Sequence, residues 1–281
     1  MGRPVDSWSG HLIDGRYAIG HAIGRGATSN VYRALQRSLG REVAIKLCSR
    51  RVAAPEAIAR FNNEARLLGL IGQHPQAVCV FDVGVTAAGV PYLVTELVPG
   101  RTLAEVLRQE GALAVGRAAR IAHDIAGLLA TAHLLGIVHR DLKPANVMLS
   151  SDRSADELVK VVDFGLATRY GDPAALPEHD QLCGTPAYMA PEIIAGEPAS
   201  PSSDVYSLGV VLYQMLSGRP PFAGTVAEVL AGHLYDPPPP LRAPIEVAEL
   251  VGCLLRRDPA ARPTAARAGG ILARFARRRR G

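Results

Sequence analysis

Short apolar runs with period-two spacing dominate the first third of the chain. "YAIGHAIG", "EVAIKLC", "VCVFDVGV" and "PYLVTELV" are each closed by turn residues, which predicts strands between Tyr17 and about Val98. One stretch breaks the alternation. "PEAIARFNNEARLLGLIG" spaces its apolar residues by three and four, opens on Pro55 and ends at Gly69 or Gly72, as a helix does. After "VPGRTL" the period changes for good, and helices are predicted over Leu103 to Gln109, Ala114 to Leu135 and Ser203 to Leu216. "DPPPPLRAPI" fits neither helix nor ladder, because proline lacks the amide donor, and reads as a surface loop between helices. The pattern therefore divides the chain into a leader (1–10), a β-rich lobe (11–98), an α-rich lobe (99–272) and a basic tail (273–281), an α+β class.

Composition narrows the partners. There are 31 basic and 26 acidic residues, a formal charge of +5. Arg274, Arg277, Arg278, Arg279 and Arg280 account for that excess, so the remainder is neutral and no specific nucleic-acid partner is expected. The run itself suits an anionic membrane surface, a solvated end or the start of a juxtamembrane region. Cys48, Cys79, Cys183 and Cys253 are scattered without CxxC or Cys/His spacing, which favours a reduced, cytoplasmic compartment and no structural zinc. The N-terminal segment lacks an apolar signal core, and "DVYSLGVVLYQML" is too short and too polar to span a bilayer.

Four stations carry candidate chemistry. "IGRGATSNVY" puts Gly24 and Gly26 in a turn between strands, where bare backbone amides can approach phosphate oxygens; Ser29 stands where a third glycine would complete the pattern. "VAIK" ends a strand at Lys46, and Glu64 on the following helix can orient its ammonium toward anionic oxygens. "HRDLKPANVML" crowds Asp141, Lys143 and Asn146 between the apolar anchors Ile137, Val138, Val147 and Leu149. A carboxylate and a carboxamide there are hard ligands for magnesium and can receive a hydroxyl proton. "VKVVDFGLA" reads as a buried strand ending at Asp163, and a hairpin through "SSDRSADE" brings Asp163 toward Asn146.

With these motifs in this order and at these spacings, and with "APE" following, the chain from about Leu12 to Thr264 resembles the Hanks-type bacterial serine/threonine protein kinases. The resemblance implies a bilobal fold and transfer of the ATP γ-phosphoryl group to Ser/Thr hydroxyls. Asp141 then orients the acceptor hydroxyl and takes its proton. Asn146 and Asp163 hold Mg2+ or Mn2+, while Lys46 and Glu64 position the α- and β-phosphates. Ile23, Gly24, Arg25, Gly26 and Ser29 cover the phosphates, and Val31, Ala44 and Met148 sandwich adenine. Glu96 and Val98 offer the hinge backbone, beside Thr95 as gatekeeper. Thr185 of "CGTPAYMAPE" bonds Asp141 and Lys143. Glu192 pairs with Arg262, Asp204 anchors the catalytic loop, and His139 is a core residue beneath Phe164.

Implied partners are protein substrates, the chain itself by autophosphorylation, and a weak homodimer through the N-terminal lobe. Between Thr168 and Cys183 the only phosphorylatable residues are Thr168, close to a strand, and Tyr170, so Glu178 or Asp180 is expected to pair with Arg140 in place of a phosphate. His123, His133, His179 and His233 receive no role. Two other classes stay open. A pseudokinase scaffold typically lacks one of Lys46, Glu64, Asp141, Asn146 and Asp163, all present here. A small-molecule phosphotransferase lacks "DFG" and the peptide-receiving segment.

Overall fold

The structure is a computed structural model that describes residues 8–26, 29–48, 55–151, 157–170 and 185–276. It divides into two compact units, Met1–Pro99 and Gly100–Gly281. The first is β-rich and the second α-rich, the α+β class that the hydrophobic pattern predicts.

The first unit is one antiparallel sheet, ordered β1-β2-β3-β4-β6-β5. Its strands are β1 (Leu12–Ile13), β2 (Tyr17–Arg25), β3 (Ser29–Gln36), β4 (Arg41–Cys48), β5 (Val80–Val85) and β6 (Pro91–Glu96). Helix α1 (Pro55–Ile71) packs on β4, β5 and β6. Alternation does the sorting: Val43, Ile45 and Leu47 of β4 are buried, as are Phe61, Leu67, Leu68 and Ile71 of the helix. Part of the expected leader belongs to this unit. Trp8 is buried and Gly10 N donates to Ile19 O at 2.8 Å, because an indole gains more by covering the sheet than by staying in water.

In the second unit, β7 (Arg101–Thr102) adds to the hairpin of β9 (Val147–Ser151) and β10 (Glu157–Val161), while β8 (Ile137–Val138) pairs with β11 (Thr168–Arg169). The helices are α2 (Leu103–Glu110), α3 (Val115–Leu134), α4 (Pro191–Ile194), α5 (Pro201–Ser217), α6 (Val226–Tyr235), α7 (Ile245–Leu254) and α8 (Ala265–Ala276). Around α3 the packing is close because its inner face is small: Ala118, Ala119, Ala122 and Ala126 are buried, and α8 and α5 lie against it. Helix α8 runs past residue 272 into what the sequence assigns to the basic tail, since Leu272 is fully buried and the turn after it continues the helix. Residues 277–281 lie outside the described residues.

Gly100 opens the second unit in a conformation only glycine adopts freely. Its φ is +124°, and a Cβ there would collide with the Leu149 carbonyl oxygen.

Candidate active site

Register places the candidate residues of the first unit. Gly24 lies opposite Val31, Val31 opposite Lys46, and Ala44 opposite Thr95. The glycine turn is closed by Gly26 N donating to Ser29 O at 2.8 Å, and Ser29 is buried. Ile23 and Arg25 flank it, both exposed. Lys46 alternates to the face of β4 away from Ile45 and Leu47, and its Nζ donates to both oxygens of Glu64, at 2.6 and 2.7 Å. Glu64 is 3% exposed, so the ammonium both neutralises that carboxylate and is held in place by it. Glu96 closes β6 by accepting from Cys79 N at 2.8 Å, and Val98 follows just beyond the strand.

The second unit assembles its candidates around one carboxylate. Asp141 Oδ2 accepts from Lys143 Nζ at 2.6 Å and from Asn146 Nδ2 at 3.2 Å, while Oδ1 accepts from Thr185 Oγ1 at 3.2 Å. Lys143 Nζ also donates to Thr185 Oγ1, at 2.8 Å. The loop that presents them is strained. Arg140 has φ of +69°, a region that costs a branched or long side chain energy unless its surroundings impose it. Here Asp204 at the start of α5 imposes it: Oδ1 accepts from Arg140 N at 2.9 Å and Oδ2 from His139 N at 2.8 Å. His133 Nε2 lies 2.9 Å from the same Oδ2, a contact that no motif spacing signals, because α3 and α5 meet only in three dimensions. His139 lies 4.5 Å from the Phe164 ring, centroid to centroid, and burial pushes its ring below the usual histidine range. Its Nδ1 accepts from Asp141 N at 3.2 Å, so the neutral ring steadies the loop.

Asn146 and Asp163 meet through the backbone. The β9–β10 hairpin pairs Val147 with Val161, and Val162 N donates to Asn146 O at 2.9 Å, so Asp163 leaves the hairpin beside Asn146. Asn146 spends its amide nitrogen on the Asp141 carbonyl (2.9 Å) and carboxylate, which leaves its side-chain oxygen for an electropositive ligand. Asp163 Oδ1 accepts from Gly165 N at 3.0 Å, which fixes the carboxylate's rotamer. Two hard oxygen donors on adjoining segments fit a divalent cation that draws its other ligands from a bound phosphate. Met148 lies on β9 between Lys160 and Thr102.

The segment expected to receive the peptide forms a 3-10 turn, Pro186–Tyr188, followed by α4. Glu192 of α4 meets Arg262 at 2.7 Å with both side chains buried. A small recess beside Asp141 is lined by Arg140, Leu142, Thr185, Tyr188, Met189 and Ser207. Thr168 is part of β11, opposite Val138, and Tyr170 is exposed. Glu178, Asp180 and Cys183 lie outside the described residues.

Residues 17–270 match the protein kinase domain family. The chain is 39% identical over 272 residues to the serine/threonine-protein kinase PknA of Mycobacterium tuberculosis, covering 94% of this chain and 61% of that protein. It is 37% identical over 276 residues to the serine/threonine-protein kinase pkn3 of Myxococcus xanthus, covering 94% and 50%. With PknL of Mycobacterium tuberculosis the identity is 38% over 258 residues, covering 89% and 63%. A two-unit fold with this site thus defines the class, and the chain belongs to the protein kinase domain family. It spans between half and two thirds of the length of these relatives. The family implies use of ATP with a divalent metal.

Proposed function

We propose that this chain is an ATP-dependent protein kinase that phosphorylates serine and threonine hydroxyls of proteins, itself included, in bacterial signalling. The observation that carries this reading is the convergence of Lys143, Asn146 and Thr185 on the Asp141 carboxylate. Asp141 receives the acceptor's hydroxyl proton and aligns its oxygen for in-line attack. Lys143, already bonded to Asp141, neutralises charge on the phosphoryl group in flight. Thr185 ties the segment that holds the peptide to the residue that activates it. Lys46, held by Glu64, grips the α- and β-phosphates. Asn146 and Asp163 would hold Mg2+, with Mn2+ as the alternative, and the cation when bound would supply positive charge to the phosphate oxygens. Lys143 and "GTPAYMAPE" support Ser/Thr over Tyr as the acceptor. No helix among the described residues is long and apolar enough to cross a membrane; the cytoplasm is proposed from cysteine usage.

The test is incubation with γ-labelled ATP and casein, with Mg2+ or Mn2+, followed by mass spectrometry. Phosphoserine and phosphothreonine on casein and on the chain itself are expected, faster with Mg2+. Label on tyrosine alone, or none from the folded protein, would contradict the reading.

A further inference from the structure

Helix α6 sets a histidine behind the turn that receives the peptide. His233 is 1% exposed, and its Nδ1 lies 2.8 Å from the Tyr206 hydroxyl of α5. The ring stands edge-on to Tyr206 and to Phe222, with centroids 5.6 and 4.8 Å away. Nε2 is shut off from water and completes no hydrogen bond of ordinary geometry among the described residues. A buried nitrogen of this kind is costly unless something polar faces it.

Helix α6 packs directly on the Pro186–Tyr188 turn. Backbone groups of Pro186 and Ala187 lie close enough to favour a proton on the ring. Proline has no N–H, so the group at Pro186 is its carbonyl. A carbonyl opposite a lone pair repels, whereas one opposite an N–H attracts, which selects the tautomer with hydrogen on Nε2. Nδ1 is then the acceptor and the Tyr206 hydroxyl its donor. Arg262 lies over the Tyr206 ring, 4.8 Å from its centroid, and steadies that phenol in turn.

The same turn is also pinned by α5. Ser207 Oγ donates to Tyr188 O at 2.8 Å, and Tyr188 Oη donates to Gln214 Oε1 at 2.7 Å. Tyr188 and Ser207 line the recess that Asp141 shares. We propose that His233 is a positioning residue for the protein substrate: backed by Tyr206, its Nε2–H holds the Pro186–Tyr188 turn where an acceptor peptide lies against Thr185 and Asp141. This inference deepens the kinase reading and rests on it. His233 touches neither Asp141 nor the Asn146–Asp163 pair, so its loss bears on peptide affinity and leaves nucleotide handling alone.

The test compares wild type with His233→Phe, which keeps an aromatic ring between Phe222 and Tyr206, and His233→Gln, which restores an N–H of similar reach. His233→Phe is expected to raise KM for casein about tenfold while kcat and KM for ATP stay within roughly twofold, with His233→Gln recovering most of the loss. Amide exchange at Tyr188 and Met189 is expected to quicken roughly tenfold in His233→Phe, with the amides of α5 unchanged. An unaltered casein KM with unaltered exchange would overturn the proposal, and so would kcat and ATP KM drifting together with casein KM. Should the wild type transfer no phosphate, the kinase reading falls while the exchange result still decides whether His233 holds the turn. Should His233→Phe not fold, Tyr206→Phe, which removes the hydroxyl that fixes the ring, is expected to shift casein KM and exchange in the same direction, and no shift would overturn the proposal.

Discussion

All five N–H donors of Arg262 are engaged. Nη1 reaches Glu192 Oε1 and Ser202 O, Nη2 reaches Glu192 Oε2 and Arg257 O, and Nε reaches Arg256 O, at 2.6 to 3.0 Å. Arg262→Ala strands the buried Glu192 carboxylate, so a loss of about 3–5 kcal/mol in urea unfolding is expected, and Arg262→Lys recovers little of it for want of the planar fork. His233 sets a second residue-scale expectation. Burial depresses its pKa from the usual 6.5 to about 4, so the folded ring stays neutral where the unfolded chain's ring takes a proton. Its contribution is constant above about pH 6.5 and falls away toward pH 4, by about 3 kcal/mol in all. His139 shifts in the same direction. The urea midpoint should therefore drop between pH 7 and pH 4.5, and His233→Phe should flatten that dependence.

At the scale of elements, the close approaches are the tightest constraints. A Cβ on Gly209 of α5 would lie 2.7 Å from Leu254 Cβ of α7, and Gly209→Ala is expected to cost about 1–3 kcal/mol in thermal or urea unfolding. Gly100→Ala adds backbone strain to its collision with the Leu149 carbonyl and should destabilise the β7–β9 pairing, read as faster amide exchange at Leu149. The elements legible in the sequence were those with strong periods, such as β4 and α5, and those bracketing compact motifs, such as the β9–β10 hairpin. Helices α6, α7 and α8 were not assigned. The prolines of "DPPPPLRAPI" mask the flanks of α6 and α7, and the buried face of α8 is Ala265, Ala268, Gly269 and Leu272, with Leu272 its one large residue. The Lys46–Glu64 and Glu192–Arg262 pairs were legible because a motif marks at least one partner. His133 and His233 were not, since each contact exists only once separate helices pack together and no motif marks either partner pair.

For the whole molecule, five arginines at one end account for the entire excess of positive charge. Binding to anionic vesicles that weakens with salt and disappears on deleting residues 274–281 is the expected outcome if that run meets a membrane surface, checked by vesicle flotation. A division of labour within the catalytic loop and hairpin is proposed, with Asp141 for the hydroxyl proton and Asn146 with Asp163 for the nucleotide's cation. Its most direct test measures nucleotide binding and phosphoryl transfer separately in Asp141→Asn and Asp163→Ala. Asp141→Asn should keep metal-dependent ATP affinity within about threefold while transfer to casein falls on the order of a thousandfold, and Asp163→Ala should lose both. Transfer by Asp141→Asn at the wild-type rate would contradict the account.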